Sequence, residues 1–226
     1  MEKALLLLSG GPDSSSLAYW IKQQGFELHT LTFNFGEKEG EAEKRTAKYI
    51  ANHVSKTHKF ISFENVLRDF YMSDGGPIHI LRKAISREIQ IKPFGAGIAI
   101  SLAASYAAQI GANHLFYAVH KDDAVFRENN YEFFNLLSKA ISIELGNEFK
   151  IHTPFLDKTK AEVLKIGFEL GVPIEETWSC ASNSTIHCGW CEPCKDRQHA
   201  FKDNGITDNT LYENKINKIS EAEIKA

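Results

Sequence analysis

Between Ser9 and Ser15 the sequence reads Ser-Gly-Gly-Pro-Asp-Ser-Ser, directly behind four consecutive leucines, Leu5 to Leu8. Four leucines in a row suit a short strand buried on both faces. From Ser14 onward the spacing of Leu17, Ala18, Trp20 and Ile21 is helical. A strand that empties through such a loop into a helix N-terminus is suited to phosphate. Gly10 and Gly11 admit close backbone approach, Ser9, Ser14 and Ser15 offer hydroxyl donors, and unpaired helix N–H groups favour an anion. Asp13 is the odd member, because a bare carboxylate repels phosphate; a Mg²⁺ ion between the two removes the conflict. An ordinary strand–turn–helix corner with Ser14 as N-cap is the plainer reading of the same residues.

The second group able to do chemistry is made of cysteine. All four cysteines, Cys180, Cys188, Cys191 and Cys194, follow the spacing C-x7-C-x2-C-x2-C. Paired C-x2-C steps turn adjacent thiolates around one tetrahedral ion, and Gly189 eases the turn. Four thiolates with no open position describe a structural Zn²⁺ site. Disulfides compete, against the absence of an export signal; a redox C-x2-C pair also competes, without a thioredoxin-like context. His187 and His199 lie close by, and with four cysteines present neither is needed as a ligand.

These groups have to be held by the elements between them. Glu27–Phe33, Lys59–Phe63, His114–Val119 and Phe149–Ile151 read as further strands. Helical patterns over Glu39–His53, Gly95–Ile110, Tyr131–Leu145 and Lys158–Leu170 separate and follow them. Asp74-Gly75-Gly76-Pro77 marks a turn within an irregular stretch, Glu64 to Pro93, where a flexible lid could lie. Repeated strand–helix alternation predicts an α/β fold with a parallel, doubly wound sheet, ligands binding at the carboxyl ends of its strands near the switch point. We expect an α/β domain over residues 1–175 and a cysteine knuckle with a tail over 176–226, the polar stretch after Asn204 being loosely held.

A chain of 226 residues with 43% hydrophobic content can bury a substantial core. A net charge of −3 gives no electrostatic case for a large nucleic-acid footprint. No apolar run reaches membrane-span length and the N-terminus reads as a strand rather than a signal peptide, so a cytoplasmic protein without a membrane partner is expected.

Ser9-Gly10-Gly11-x-Asp13-Ser14 lacks the Lys-Ser/Thr ending of a Walker A loop. It resembles the pyrophosphate-binding loop of the PP-loop ATP pyrophosphatases, which adenylylate a carboxyl or carbonyl oxygen and release pyrophosphate. Thr177-Trp178-Ser179-Cys180, Cys188-Gly189-x-Cys191-x2-Cys194 and Arg197-x2-Ala200-Phe201 extend the likeness, as does Lys160-Ala161-Glu162-Val163 leading into Gly171-Val172-Pro173. Together these are similar to the 7-cyano-7-deazaguanine synthases, the QueC family. The resemblance implies an ATP-dependent carbon–nitrogen ligase that uses ATP, Mg²⁺ and ammonia to convert 7-carboxy-7-deazaguanine, through an amide, to the nitrile preQ0. It also implies a structural zinc and a homodimer.

Carried onto this chain, the resemblance has Ser9, Gly10, Gly11, Ser14 and Ser15 cradling ATP phosphates and Asp13 holding Mg²⁺. Phe33 flanks adenine. Lys160 neutralises departing pyrophosphate, or is a solvated lysine of a first helical turn. Arg197 reaches the same phosphates, or binds a carbonyl of the knuckle. His120, Lys121, Asp122 and Asp123 point toward the same mouth, and Asp122 or Asp123 grips the guanine-like edge or lies in a solvated loop.

The middle of the chain departs from the family pattern. Phe35-Gly36-Glu37-Lys38-Glu39 stands where the family has Y-G-Q-R-H, and Lys92-Pro93-Phe94-Gly95-Ala96 where it has V-P-x-R-N, leaving Arg82 or Arg87 to supply the missing charge. Phe126 to Phe133 replaces Y-P-D-C-R-x-E-F, with Glu128 standing in for the Asp. Two readings follow: a divergent synthase using ammonia, or a paralogue that passes a deazaguanine to a protein amine, of the kind found in anti-phage defence gene clusters. A PP-loop tRNA-modifying enzyme is a third, opposed by the single four-cysteine knuckle and the net charge.

Overall fold

The computed structural model describes residues 1–63, 95–125 and 128–215. Five strands, β1 (Lys3–Leu7), β2 (Glu27–Asn34), β3 (Thr57–Ser62), β4 (His114–Phe116) and β5 (Lys150–His152), form one sheet in the order β3-β2-β1-β4-β5. Every pairing is parallel. The leucine run makes β1 the central strand because both faces of the sheet are covered. Leu6 and Leu8 pack with Leu17 and Ile21 of α1 (Pro12–Gln23), Ala47 and Ile50 of α2 (Gly40–Val54) and Val163 of α5 (Lys160–Glu169). Leu5 and Leu31 pack on the other side with Ile100 and Ala104 of α3 (Gly95–Ile110) and Phe134 of α4 (Tyr131–Leu145). From β1 the chain moves outward through β2 and β3, then returns to place β4 and β5 on the opposite side. The carboxyl end of β1 therefore lies at the reversal of strand order, where open α/β sheets bind ligands.

Most element boundaries agree with the sequence pattern within two residues. The strand from His114 stops at Phe116, short of the expected Val119, and a 3₁₀ turn over Lys121–Val125 follows. The expected lid, with Asp74 to Pro77, and Arg82, Arg87, Lys92 to Phe94, Phe126 and Arg127 lie outside the described residues. Among the described residues no helix is long and apolar enough to cross a membrane.

Two features of the C-terminal region were not anticipated. Helix α6 (Glu192–Asp203) has only a weak apolar pattern because one of its buried positions is an arginine, Arg197. Residues 205–215 are held, which corrects the expectation of a loose tail there; 216–226 lie outside the described residues. Thr210 and Tyr212 are buried, and the backbone of 211–214 bonds to His187 and Cys188. This strap, the cysteines and Trp178 share an apolar cluster with Ala42 of α2.

Candidate active site and cysteine centre

The loop after β1 is a tight turn with no room for side chains. Gly10 has φ +83°, and a Cβ there would overlap Thr46 Oγ1 and the backbone of Glu43 and Ala47 in α2. Its carbonyl accepts from Trp178 N at 2.9 Å, tying the loop to the start of the knuckle. Helix α1 begins at Pro12 with Gly11 as its N-cap, so Ser14 is not the cap its position suggested. The Ser14 hydroxyl instead accepts from Ser9 N at 3.2 Å and lies 3.0 Å from Ser9 Oγ. Among the described residues no side chain caps this helix, which leaves its first-turn N–H groups able to face an anion. Ser15 is fully buried, and its Oγ has no partner among the described residues.

Four charged side chains converge beside the loop. Asp13 Oδ2 lies 3.7 Å from Lys160 Nζ and 3.6 Å from His120 Nε2, which is also 3.5 Å from Asp123 Oδ2. Burial alone would raise the Asp13 carboxyl, but contacts with His120 and Lys160 outweigh it and hold the group below its ordinary range. For His120, burial pulls the imidazole down and the Asp13 contact more than compensates, leaving it raised. Asp13 Oδ1 is buried without a partner among the described residues.

Lys160 reaches this cluster because α5 is firmly started. Thr159 and Glu162 form a capping box, and Asp122 Oδ2 accepts from Lys160 N at 2.8 Å. Asp122 thus caps a helix with one carboxylate oxygen. Asp123 faces His120, and Asn129 Nδ2 donates to the Asp123 carbonyl at 3.0 Å. Burial together with the charges of Asp123 and Glu128 pushes the Tyr117 phenol up to about 12.

At the ends of β2 and β3, Phe33 has company that sequence reasoning missed. Its ring centroid is 5.5 Å from Phe35 and 5.3 Å from Phe63, and Phe35 and Phe63 are stacked 6.0 Å apart. The three half-buried rings form a platform for a planar group. Glu43 was also missed. Burial, then Glu39 and Glu37, push its carboxyl up to about 8.

Of the two readings of Arg197, its hydrogen bonds match the carbonyl-binding one and not the phosphate contact. The side chain is fully buried and donates to Thr210 Oγ1 (3.0 Å), Thr177 Oγ1 (2.8 Å), Ser179 Oγ (3.3 Å) and the Ile174 carbonyl (2.5 Å). Its fork is spent inside the knuckle.

The four cysteines are free thiols whose Sγ atoms lie within 4.8 Å of one another. Cys188 and Cys194 are 4.0 Å apart and Cys180 and Cys191 3.9 Å, against about 2 Å in a disulfide. Tetrahedral sulfurs at about 2.3 Å from zinc would sit about 3.8 Å apart. Backbone N–H groups of Cys188 and Cys191 already point at Cys180 Sγ and Cys188 Sγ, each at 3.4 Å, as thiolates require. The donor set fits a metal ion such as zinc.

Comparison with known proteins places this geometry. Residues 3–205 match the family model described as queuosine biosynthesis protein QueC. A 7-cyano-7-deazaguanine synthase of Archaeoglobus fulgidus is 35% identical, covering 92% of this chain and 90% of that protein. One of Clostridium kluyveri is 34% identical over 94% and 98%. Among solved structures, an NMN synthetase of Francisella tularensis has a TM-score of 0.54 at 16% identity, covering 92% of this chain and 79% of its own. A predicted tRNA methyltransferase subunit of Methanocaldococcus jannaschii has 0.52 at 19% identity, over 75% and 76%. These two share the fold. Matched by the family model over most of its length, and at this identity to two synthases, the chain belongs to the QueC family.

Proposed function

We propose that this protein is a 7-cyano-7-deazaguanine synthase that adenylylates 7-carboxy-7-deazaguanine and lets ammonia displace AMP. The observation that carries the reading is the uncapped, glycine-hinged N-terminus of α1 with Lys160 brought to its side, an anion site at the switch point of a QueC-family sheet. In the first step a carboxylate oxygen of the base attacks the α-phosphorus of ATP, the α–β phosphoanhydride bond breaks, and pyrophosphate leaves. Ammonia then attacks the acyl carbon, loses a proton, and AMP departs with the bonding electrons to leave the amide. The amide oxygen, adenylylated by a second ATP with release of pyrophosphate, departs as AMP as the nitrogen gives up its protons, leaving the nitrile.

Ser9, Gly10, Gly11, Ser14 and Ser15 would cradle the phosphates, and Lys160 would offset charge on the departing pyrophosphate. The unpartnered Asp13 Oδ1 fits a Mg²⁺ ligand, the ion supplying charge neutralisation when bound. Phe33, with Phe35 and Phe63, would take the adenine face. Asp123 and Glu128 would accept from the guanine-like edge. The cysteine centre would hold a structural Zn²⁺, and the protein would be a homodimer.

The reading is tested by incubating the protein with ATP, Mg²⁺, 7-carboxy-7-deazaguanine and ammonium while following AMP and the base by mass spectrometry. Amide or nitrile appearing with AMP is the expected result. AMP without an amidated base would overturn ammonia as acceptor and leave a protein amine as the acceptor to seek. No AMP would remove this substrate.

A further inference from the structure

His29 and His120 are both buried, and they differ in a way that separates support from function. His29 has both ring nitrogens partnered, Nδ1 with Thr57 Oγ1 at 2.7 Å and Nε2 with Glu27 Oε1 at 3.2 Å. His120 leaves Nδ1 buried without a partner among the described residues and spends Nε2 on two carboxylates, Asp13 and Asp123. A buried imidazole that serves packing satisfies both nitrogens; one left half satisfied calls for another explanation.

The turn that His120 begins ties two helix N-termini together. Lys121 N donates to the Lys158 carbonyl at 2.7 Å, and Asp122 accepts from Lys160 N. Within three residues the chain grips Asp13 in the first turn of α1, through His120, and the first turn of α5. We propose that His120 is a positioning residue: its imidazole, seated between the Asp13 and Asp123 carboxylates at 3.6 and 3.5 Å, holds the N-terminus of α5, and with it Lys160, against the N-terminus of α1. The adenylylation reading supplies only the catalytic consequence, so the physical coupling is testable without it.

Gln is the discriminating substitution. Its amide nitrogen reaches about as far as Nε2 and offers one N–H to each carboxylate, whereas Asn is too short. Hydrogen–deuterium exchange of residues 13–17 and 160–164 is measured for wild type, His120→Gln and His120→Asn. We expect Asn to speed exchange about tenfold in both segments together, and Gln to leave both within threefold. In the AMP assay Asn lowers kcat at least tenfold with KM for ATP within threefold, and Gln restores it. Asp123→Asn, at a more exposed position, removes the negative charge beside His120 and produces the same paired exchange in weaker form. Unchanged exchange, faster exchange in one segment only, or equal loss in Gln and Asn overturns the coupling. A wild type that makes no AMP while the paired exchange appears overturns the adenylylation reading and leaves the coupling standing.

Discussion

Glu43 sits in the first turn of α2, where its backbone carbonyl crowds Gly10. Its folded carboxyl, raised to about 8 by burial and by Glu39 and Glu37, keeps a proton that the unfolded chain releases near 4.5. Stability from this group is therefore complete below pH 4.5 and is lost as pH climbs toward 8. Glu43→Gln, a neutral isostere, should match wild type in urea midpoint at pH 5 and exceed it at pH 9. An equal difference at both pH values would mean that the carboxyl titrates normally. Arg197 shows the opposite use of burial, with a cation kept inside because hydroxyls and a carbonyl surround its guanidinium. A lysine there could not reproduce the fork.

Helices α1 and α5 approach so closely that Gly167 has no room for a methyl group, since a Cβ would overlap Ser16 Oγ. Ser16 cannot easily yield; it is fully buried and its hydroxyl donates to the Pro12 carbonyl at 2.7 Å. Alanine would ordinarily gain up to about 1 kcal/mol over glycine in a helix. Here overpacking costs about 1–3 kcal/mol and wins. Gly167→Ala should therefore lower the melting temperature, and by pushing α5 aside it should also lower AMP formation, because Lys160 rides on that helix. Adding Ser16→Gly to Gly167→Ala makes the space and should restore both. A single variant as stable and active as wild type would show that the two helices slide freely.

At the scale of the whole molecule, what was legible in the sequence is what depends on neighbours along the chain. The leucine run, the glycine loop, the cysteine spacing and the helices Gly95–Ile110 and Tyr131–Leu145 are all local patterns, and the structure keeps them. What escaped depends on distant segments meeting. His120 acquires its role only when residues 13, 120 and 123 come together, and α6 hides behind an arginine whose partners lie at 174, 177, 179 and 210. The knuckle carries one such meeting to the loop after β1. Its first segment donates Trp178 N to Gly10 O, so the ordering of the cysteines also braces the candidate ATP loop. Strap contacts, with Asn214 Nδ2 donating to Gly189 O at 2.9 Å, close the knuckle from the other side. Four thiolates held within 4.8 Å would repel one another without a cation between them. Purified protein should carry about one zinc per chain by elemental analysis. Stripping it with a strong chelator should abolish AMP formation while leaving most of the sheet and helix signal in circular dichroism, because the clusters on both faces of the sheet contain none of the cysteines. Restoring zinc should return activity. Full activity in metal-free protein would show that the loop stands without the knuckle, and the Trp178–Gly10 bond would then be packing alone.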